Sequence, residues 1–155
     1  MNDPTVLHET FTIERTYKQS PARVFDAFAN MEKKRRWFVE GEGWEVIDYA
    51  MDFRVGGLEG GTFRYKDGPV IKNETMYTDI IPNRRIVTAY SMVVGAKRIS
   101  SSLATMQLIP VGDGTRFVYT EQGAYFDGAD QPKNRLAGCQ ELFEKLAVEL
   151  ARGDK

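Results

Sequence analysis

From Gln131 to Arg152 apolar side chains return at alternating spacings of three and four: Leu136, Cys139, Phe143, Leu146 and Leu150. That spacing is the stripe of one long amphipathic helix. Asp130 fits its N-cap, Pro132 its first turn, where a missing N–H costs nothing, and Gly153 its stop. Glu141 and Lys145 stand at the i,i+4 spacing of a surface ion pair. At about 1.5 Å per residue the helix is a rod of roughly 30 Å. A single apolar stripe cannot bury itself, so the rod is expected to lie across a sheet and close one side of a hydrophobic cavity.

Most of the preceding chain alternates with a period of two, the signature of half-buried strands. After a lead-in over 1–7, Thr10–Tyr17 places Phe11, Ile13 and Tyr17 on one face, with Arg15 interrupting it. Ser20-Pro21 starts a helix with Val24, Phe25 and Phe28 inward, and Asn30 caps a second short helix, Met31–Phe38. Strands follow at Trp44–Phe53, Thr62–Lys66, Val70–Ile80, Arg85–Val94, Arg98–Ile109 and Thr115–Gln122. In the first of these Trp44, Val46 and Asp48 are expected opposite Ile47, Tyr49 and Met51; in Val70–Ile80, Asn73, Thr75 and Tyr77 opposite Glu74, Met76 and Ile80. Gly56-Gly57 and Gly60-Gly61 are read as bracketing a tight connection, and 123–130 as a glycine-rich loop before the long helix. Short connections imply antiparallel neighbours. The order is α+β: one strand, two short helices, about six strands, one long helix. A curved antiparallel sheet with helices on one face fits it best, and a closed up-and-down barrel is the alternative.

The chain has 155 residues, 42% apolar and 28% charged, which suits one globular domain, placed at 8–152. A net charge of −1 argues against nucleic-acid binding driven by charge. No run approaches a membrane span, so no membrane insertion is expected. The N-terminus has no basic-then-apolar signal pattern, so residence in the cytosol is the default expectation. The basic run Lys33-Lys34-Arg35-Arg36 is read as the solvated face of a small helix in preference to a phosphate site.

Three stretches carry a family likeness: FTIERTYKQSPARVFDAFANMEKKRRWF, then GWEVIDYAMDFRVGG, then the hairpin ending in DGTRFVYTEQGAYFDG before the terminal helix. Together they resemble the Hsp90-ATPase-activator-homologue-like proteins of the START/Bet v 1-like (SRPBCC) superfamily, over about residues 8–151. The resemblance implies a helix-grip fold: a curved antiparallel sheet wrapped around a long C-terminal helix, two short helices after the first strand, and an apolar cavity between sheet and helix. Relatives in that superfamily include lipid and polyketide binders, cyclases, stress-related proteins and co-chaperone domains.

Phosphate-loop and dinucleotide fingerprints are absent. His8, the only histidine, is read as a surface residue at the frayed start of a strand. One histidine and one cysteine do not supply a zinc ligand set, so neither metal nor cofactor is expected. Asp48, Glu74, Tyr90 and Glu121 are polar groups in otherwise apolar strands. If turned inward, a desolvated carboxylate there would suit a general acid or base. Glu74, Glu121 and Tyr90 are therefore the catalytic candidates, with an outward pairing to Arg54 or Arg98 as the ordinary alternative for the carboxylates. Trp37, Phe38, Trp44, Phe63, Tyr90, Phe117, Phe126, Cys139 and Phe143 are the candidate ligand-binding residues, with Phe126 as a lid. Cys139 is read as a small buried hydrophobe, and Gly138 as an unexplained cost of on the order of 1 kcal/mol in the helix.

Three functions compete. The first is binding of a small hydrophobic or aromatic molecule in the cavity. The second is a cyclase, dehydratase or hydrolase using a buried carboxylate. The third is a chaperone-interacting module, for which the basic run is the only candidate patch. Weak homodimerisation through an edge strand is a further expectation.

Overall fold

A computed structural model of the chain describes residues 3–153. Seven strands form one antiparallel sheet: β1 (Val6–Tyr17), β2 (Trp44–Met51), β3 (Leu58–Tyr65), β4 (Val70–Ile81), β5 (Arg85–Val94), β6 (Lys97–Val111) and β7 (Gly114–Phe126). The spatial order is β1-β7-β6-β5-β4-β3-β2, so only β1 leaves sequence order, crossing to pair with β7. The connection from β1 to β2 holds α1 (Pro21–Ala29) and α2 (Met31–Lys34), which runs into a π-helical turn, Arg35–Val39. The long helix, α3 (Pro132–Leu150), closes the chain. This is the α+β helix-grip architecture, an open curved sheet and not a closed barrel. Among the described residues no helix is long and apolar enough to cross a membrane.

Capping followed local chemistry at the short helices. Ser20 Oγ accepts from the Arg23 N–H at 3.2 Å, and Asn30 Oδ1 from the Lys33 N–H at 3.1 Å. At α3 the expectation of an Asp130 cap is corrected: Gln131 holds the cap position without a side-chain bond. Asp130 instead turns toward Arg135, one turn into the helix, at 3.0 Å. Lys145 reaches the Glu40 carbonyl at 3.5 Å, and among the described residues it forms no ion pair with Glu141.

Bulges bend the sheet and reverse parts of the expected alternation. Ile47 is an extra residue between the Val46–Phe63 and Asp48–Thr62 pairs of β2 and β3. Beyond it Tyr49 and Met51, not Asp48, share the inner face with Trp44 and Val46. Thr78 does the same in β4, so Ile80 joins the core beside Ile86. Gly60 and Gly61 lie inside β3 and do not bracket a turn; β3 starts at Leu58. The ring of Phe63 folds over Gly61, where any side chain would collide with it. β7 runs on to Phe126, through residues expected as loop, and pairs Val6 with Phe126. The lead-in is shorter than expected, because Val6 and Leu7 already belong to β1, and Met1 and Asn2 lie outside the described residues.

The four cations of the basic run form a solvated face only in part: each is paired with a carboxylate, and Lys34 is buried while Arg36 is exposed. Lys33 pairs with Asp26, Lys34 with Glu59 at 3.0 Å, Arg35 with Glu40 at 2.9 Å and Arg36 with Glu149 at 2.6 Å. Lys34 is 6% exposed and Glu149 3%. Lys33 and Lys34 turn inward on this short helix, whereas the Arg35 and Arg36 side chains, each 37% exposed, keep to its wet side.

One of those ties, Arg36–Glu149, helps to fix the C-terminal half of α3. Arg23 donates to the Glu149 carbonyl at 3.0 Å, and the buried Tyr17 hydroxyl donates to the Phe143 carbonyl at 3.0 Å. Beneath this half the core is solid. Phe117 is fully buried between Phe28 (5.8 Å), Tyr17 (5.9 Å) and Phe143 (4.9 Å), with Leu146 and Leu150 closing around it. Trp37 packs edge-on to Phe28 at 5.0 Å and donates its indole N–H to the Ala27 carbonyl at 2.9 Å.

Candidate functional site

The N-terminal half of α3 has no such filling beneath it. Between it and β3–β6 lies a cavity of about 430 Å³. That is within the usual range for small-molecule sites. Its apolar wall includes Phe28, Trp37, Phe38, Phe63, Met92, Met106, Leu142 and Phe143. Trp44, 38% exposed, stands at its mouth.

One polar end is built on Glu121. Its carboxylate, fully buried on β7, takes the Tyr119 hydroxyl at 2.5 Å and the Tyr90 hydroxyl at 2.8 and 2.9 Å to its two oxygens. Arg135 Nη1 donates to Glu121 at 3.2 Å and to the Tyr90 oxygen at 3.0 Å. Its Nη2 donates to Ser100 Oγ at 2.8 Å and to Asp130 at 3.0 Å. The guanidinium also lies over the rings of Tyr90 and Tyr125, at 5.7 and 5.4 Å. Burial alone would lower the Arg135 pKa, but Tyr90, Glu121 and Asp130 together hold it above its ordinary value. Burial, reinforced by Glu121, raises both tyrosines well above theirs, so each stays a hydrogen-bond donor. The Cys139 thiol, 3.8 Å from Glu121, is pushed up to about 12, first by burial and then by that carboxylate. Two buried hydroxyls on this side of the sheet, Ser102 opposite Tyr90 and Tyr125 beside Gly123, have no hydrogen-bond partner.

A second polar end is built on Glu59, 5% exposed on β3. It accepts from Lys34 at 3.0 Å, from Tyr49 at 2.5 Å and from Tyr77. Burial raises the Glu59 pKa, yet Lys34 and the two hydroxyls outweigh it and hold the carboxyl below its ordinary range. Lys34 sits over the Phe38 ring at 4.5 Å. Glu59 lies opposite Thr75, and Thr75 opposite Tyr90. Two strand spacings therefore put the Glu59 and Tyr90 backbones about 10 Å apart on the same inner face.

Most of the residues singled out in the sequence gather here. Trp37, Phe38, Trp44, Phe63, Tyr90, Cys139 and Phe143 line the cavity, and Glu121 lies directly behind Tyr90. Phe117 does not line it, because the core closes over that ring. Phe126 is no lid: it ends β7 on the strand pair with β1. Glu74 is on the outer face, bonded to Arg98 at 2.8 Å and held by that guanidinium below its ordinary carboxyl value. Asp48 is exposed beyond the β2 bulge, and His8 is exposed within β1, paired with Ala124. Sequence reasoning missed Arg135 and Glu59. Arg135 is four residues before Cys139 on the inward stripe, a spacing that was legible; Glu59 was hidden in a stretch read as a glycine turn. Gly138 lines the cavity, with open space where a side chain would stand.

A family model described as "Activator of Hsp90 ATPase homolog 1-like protein" matches residues 18–151. No curated protein matches the chain. Among solved structures, the chain is similar to the Mll3558 protein of Rhizobium loti, at 51% identity over 94% of this chain and 99% of that one, with a TM-score of 0.88. A Rhizobium leguminosarum protein is 38% identical over 97% and 99%, with a TM-score of 0.93. Protein CV1439 of Chromobacterium violaceum is 25% identical over 91% and 96%, with a TM-score of 0.74.

Proposed function

We propose that this chain, which belongs to the Activator of Hsp90 ATPase homolog 1-like family, binds a small, largely apolar molecule between its sheet and the N-terminal half of α3. One observation carries the reading: the helix is solidly packed at one end and stands over a cavity of about 430 Å³ at the other. A wall of aromatic and methionine side chains with a few convergent polar groups is the usual make-up of a ligand site. Flat apolar rings would stack on Trp37, Phe38 and Phe63, and a polar substituent would meet Tyr90 and Arg135.

The test is direct. Native mass spectrometry of gently purified protein should reveal a bound lipophile. Apolar aromatic compounds should quench the fluorescence of Trp37 and Trp44, both on the cavity, and raise the melting temperature. No adduct, no quenching and no thermal shift across such a set would refute the proposal.

A catalytic reading has one observation in its favour, the burial of Glu121 beside the cavity. Its lone pairs are already engaged by Tyr90, Tyr119 and Arg135, so the carboxylate acts first as the anchor that orients those groups. The chaperone-docking reading gains little from the basic run, whose four charges are each paired with a carboxylate of this chain.

A further inference from the structure

We infer that the cavity selects its guest by charge, admitting neutral hydrogen-bonding molecules and rejecting their carboxylate counterparts, with Asp130 and Glu121 as the residues that set this preference. The inference rests on the cavity-binding proposal and narrows it to a class of ligand.

Three observations carry it. First, every cation deep in the cavity is already matched. Arg135, the group an anion would seek, donates to two carboxylates, Glu121 at 3.2 Å and Asp130 at 3.0 Å. Lys34 is consumed by Glu59 at 3.0 Å. An entering carboxylate would lose its water and gain no free counter-charge, which is the costly case for a buried ion. Second, Asp130 lines the cavity just before α3, where its carboxylate accepts from the Gln131 N–H at 2.8 Å and sets a like charge against an entering anion. Third, the wall carries neutral hydrogen-bonding side chains, Asn73, Thr75, Thr88 and Asn134, which can serve an uncharged polar substituent. The other two charged residues of the lining, Glu141 and Lys145, are of opposite sign, and with Glu121 behind the wall four carboxylates stand against three cations around the cavity.

The experiment compares three probes of one shape with the full-length protein at neutral pH: 2-naphthol, 2-naphthamide and 2-naphthoate. Affinity is read from tryptophan quenching. Naphthol and naphthamide should bind with similar affinity, and naphthoate about tenfold or more weakly, a gap equivalent to one unit in log Kd. Asp130→Asn should narrow that gap by removing one of the two carboxylates. The amide, isosteric with the carboxylate but uncharged, decides the matter even if the variant folds poorly. Naphthoate binding as tightly as the amide overturns the inference and leaves cavity binding standing. A gap unchanged in folded Asp130→Asn overturns the role given to Asp130. If none of the three binds, the cavity-binding proposal itself fails and takes this inference with it.

Discussion

Tyr90 and Glu121, on β5 and β7 with β6 between them, are joined by the Tyr90 hydroxyl lying 2.8 and 2.9 Å from the two carboxylate oxygens. The same hydroxyl accepts from Arg135 on α3. One phenol thereby ties the floor of the cavity to its roof.

Removing the two ends of this tie should have unequal costs. Glu121→Gln replaces the charge-assisted bonds from Tyr119, Tyr90 and Arg135 with weaker neutral ones at a fully buried position, while Asp130 still pairs Arg135, and should cost about 2–3 kcal/mol. Tyr90→Phe removes a neutral donor and should cost about 1–2 kcal/mol. Urea denaturation of both variants measures the difference; equal costs would contradict the anchoring role of Glu121.

Gly138 is the position at which stability and binding should move in opposite directions. It lies in a helix interior, lines the cavity and has open space at its Cβ. Gly138→Leu should gain up to about 1 kcal/mol from helix propensity while intruding on the cavity and weakening any guest. Thermal melts and probe titrations on the same sample read both effects.

Phe117 and Trp44, both aromatic candidates in the sequence, should separate cleanly. Phe117 is fully buried among Phe28, Tyr17 and Phe143, so Phe117→Ala should cost about 3–5 kcal/mol. Trp44 is exposed at the mouth beside Tyr65, so Trp44→Ala should cost far less stability and act mainly on binding. Denaturant midpoints paired with probe affinities test the contrast.

Acid should attack the fold through Glu59. Its folded-state carboxyl is held below the ordinary value by Lys34 and the hydroxyls of Tyr49 and Tyr77 against the opposing effect of burial. A depressed folded value means the contribution is complete above the unfolded value of about 4.3 and is lost as pH falls through the folded one. Melting temperature should therefore drop on acidification below about pH 4. In Glu59→Gln the protein should be weaker at neutral pH and show a shallower drop in that window. An identical pH profile in wild type and variant would remove Glu59 as the cause.

Cys139 should be inert in the native protein. With its thiol pushed up to about 12, the thiolate is scarce through neutral pH. Ellman's reagent should react with the folded protein far more slowly than with the denatured chain. Comparable rates would mean that the thiol is reachable.

The sequence by itself settled what depends on short-range periodicity. The inward stripe of α3, the caps at Ser20 and Asn30, and the order of strands and helices follow from spacings of two to four residues, and the structure keeps them. The helix-grip arrangement was legible for the same reason, since one stripe of that length needs a sheet beneath it. What lay beyond reach was decided by contacts between distant positions. A single extra residue, Ile47, turned Asp48 out and Tyr49 in, and no local pattern announces such a slip. The basic run resembled a wet surface until Asp26, Glu59, Glu40 and Glu149 came up against it. Glu59 and Glu121 became the two buried ends of a cavity, and Glu74 a surface ion pair, though all three are glutamates within strands. Their fates diverged because strand register assigns each side chain a face, and register is fixed by pairing across the sheet and by the helix laid over it, not by the neighbours in the chain.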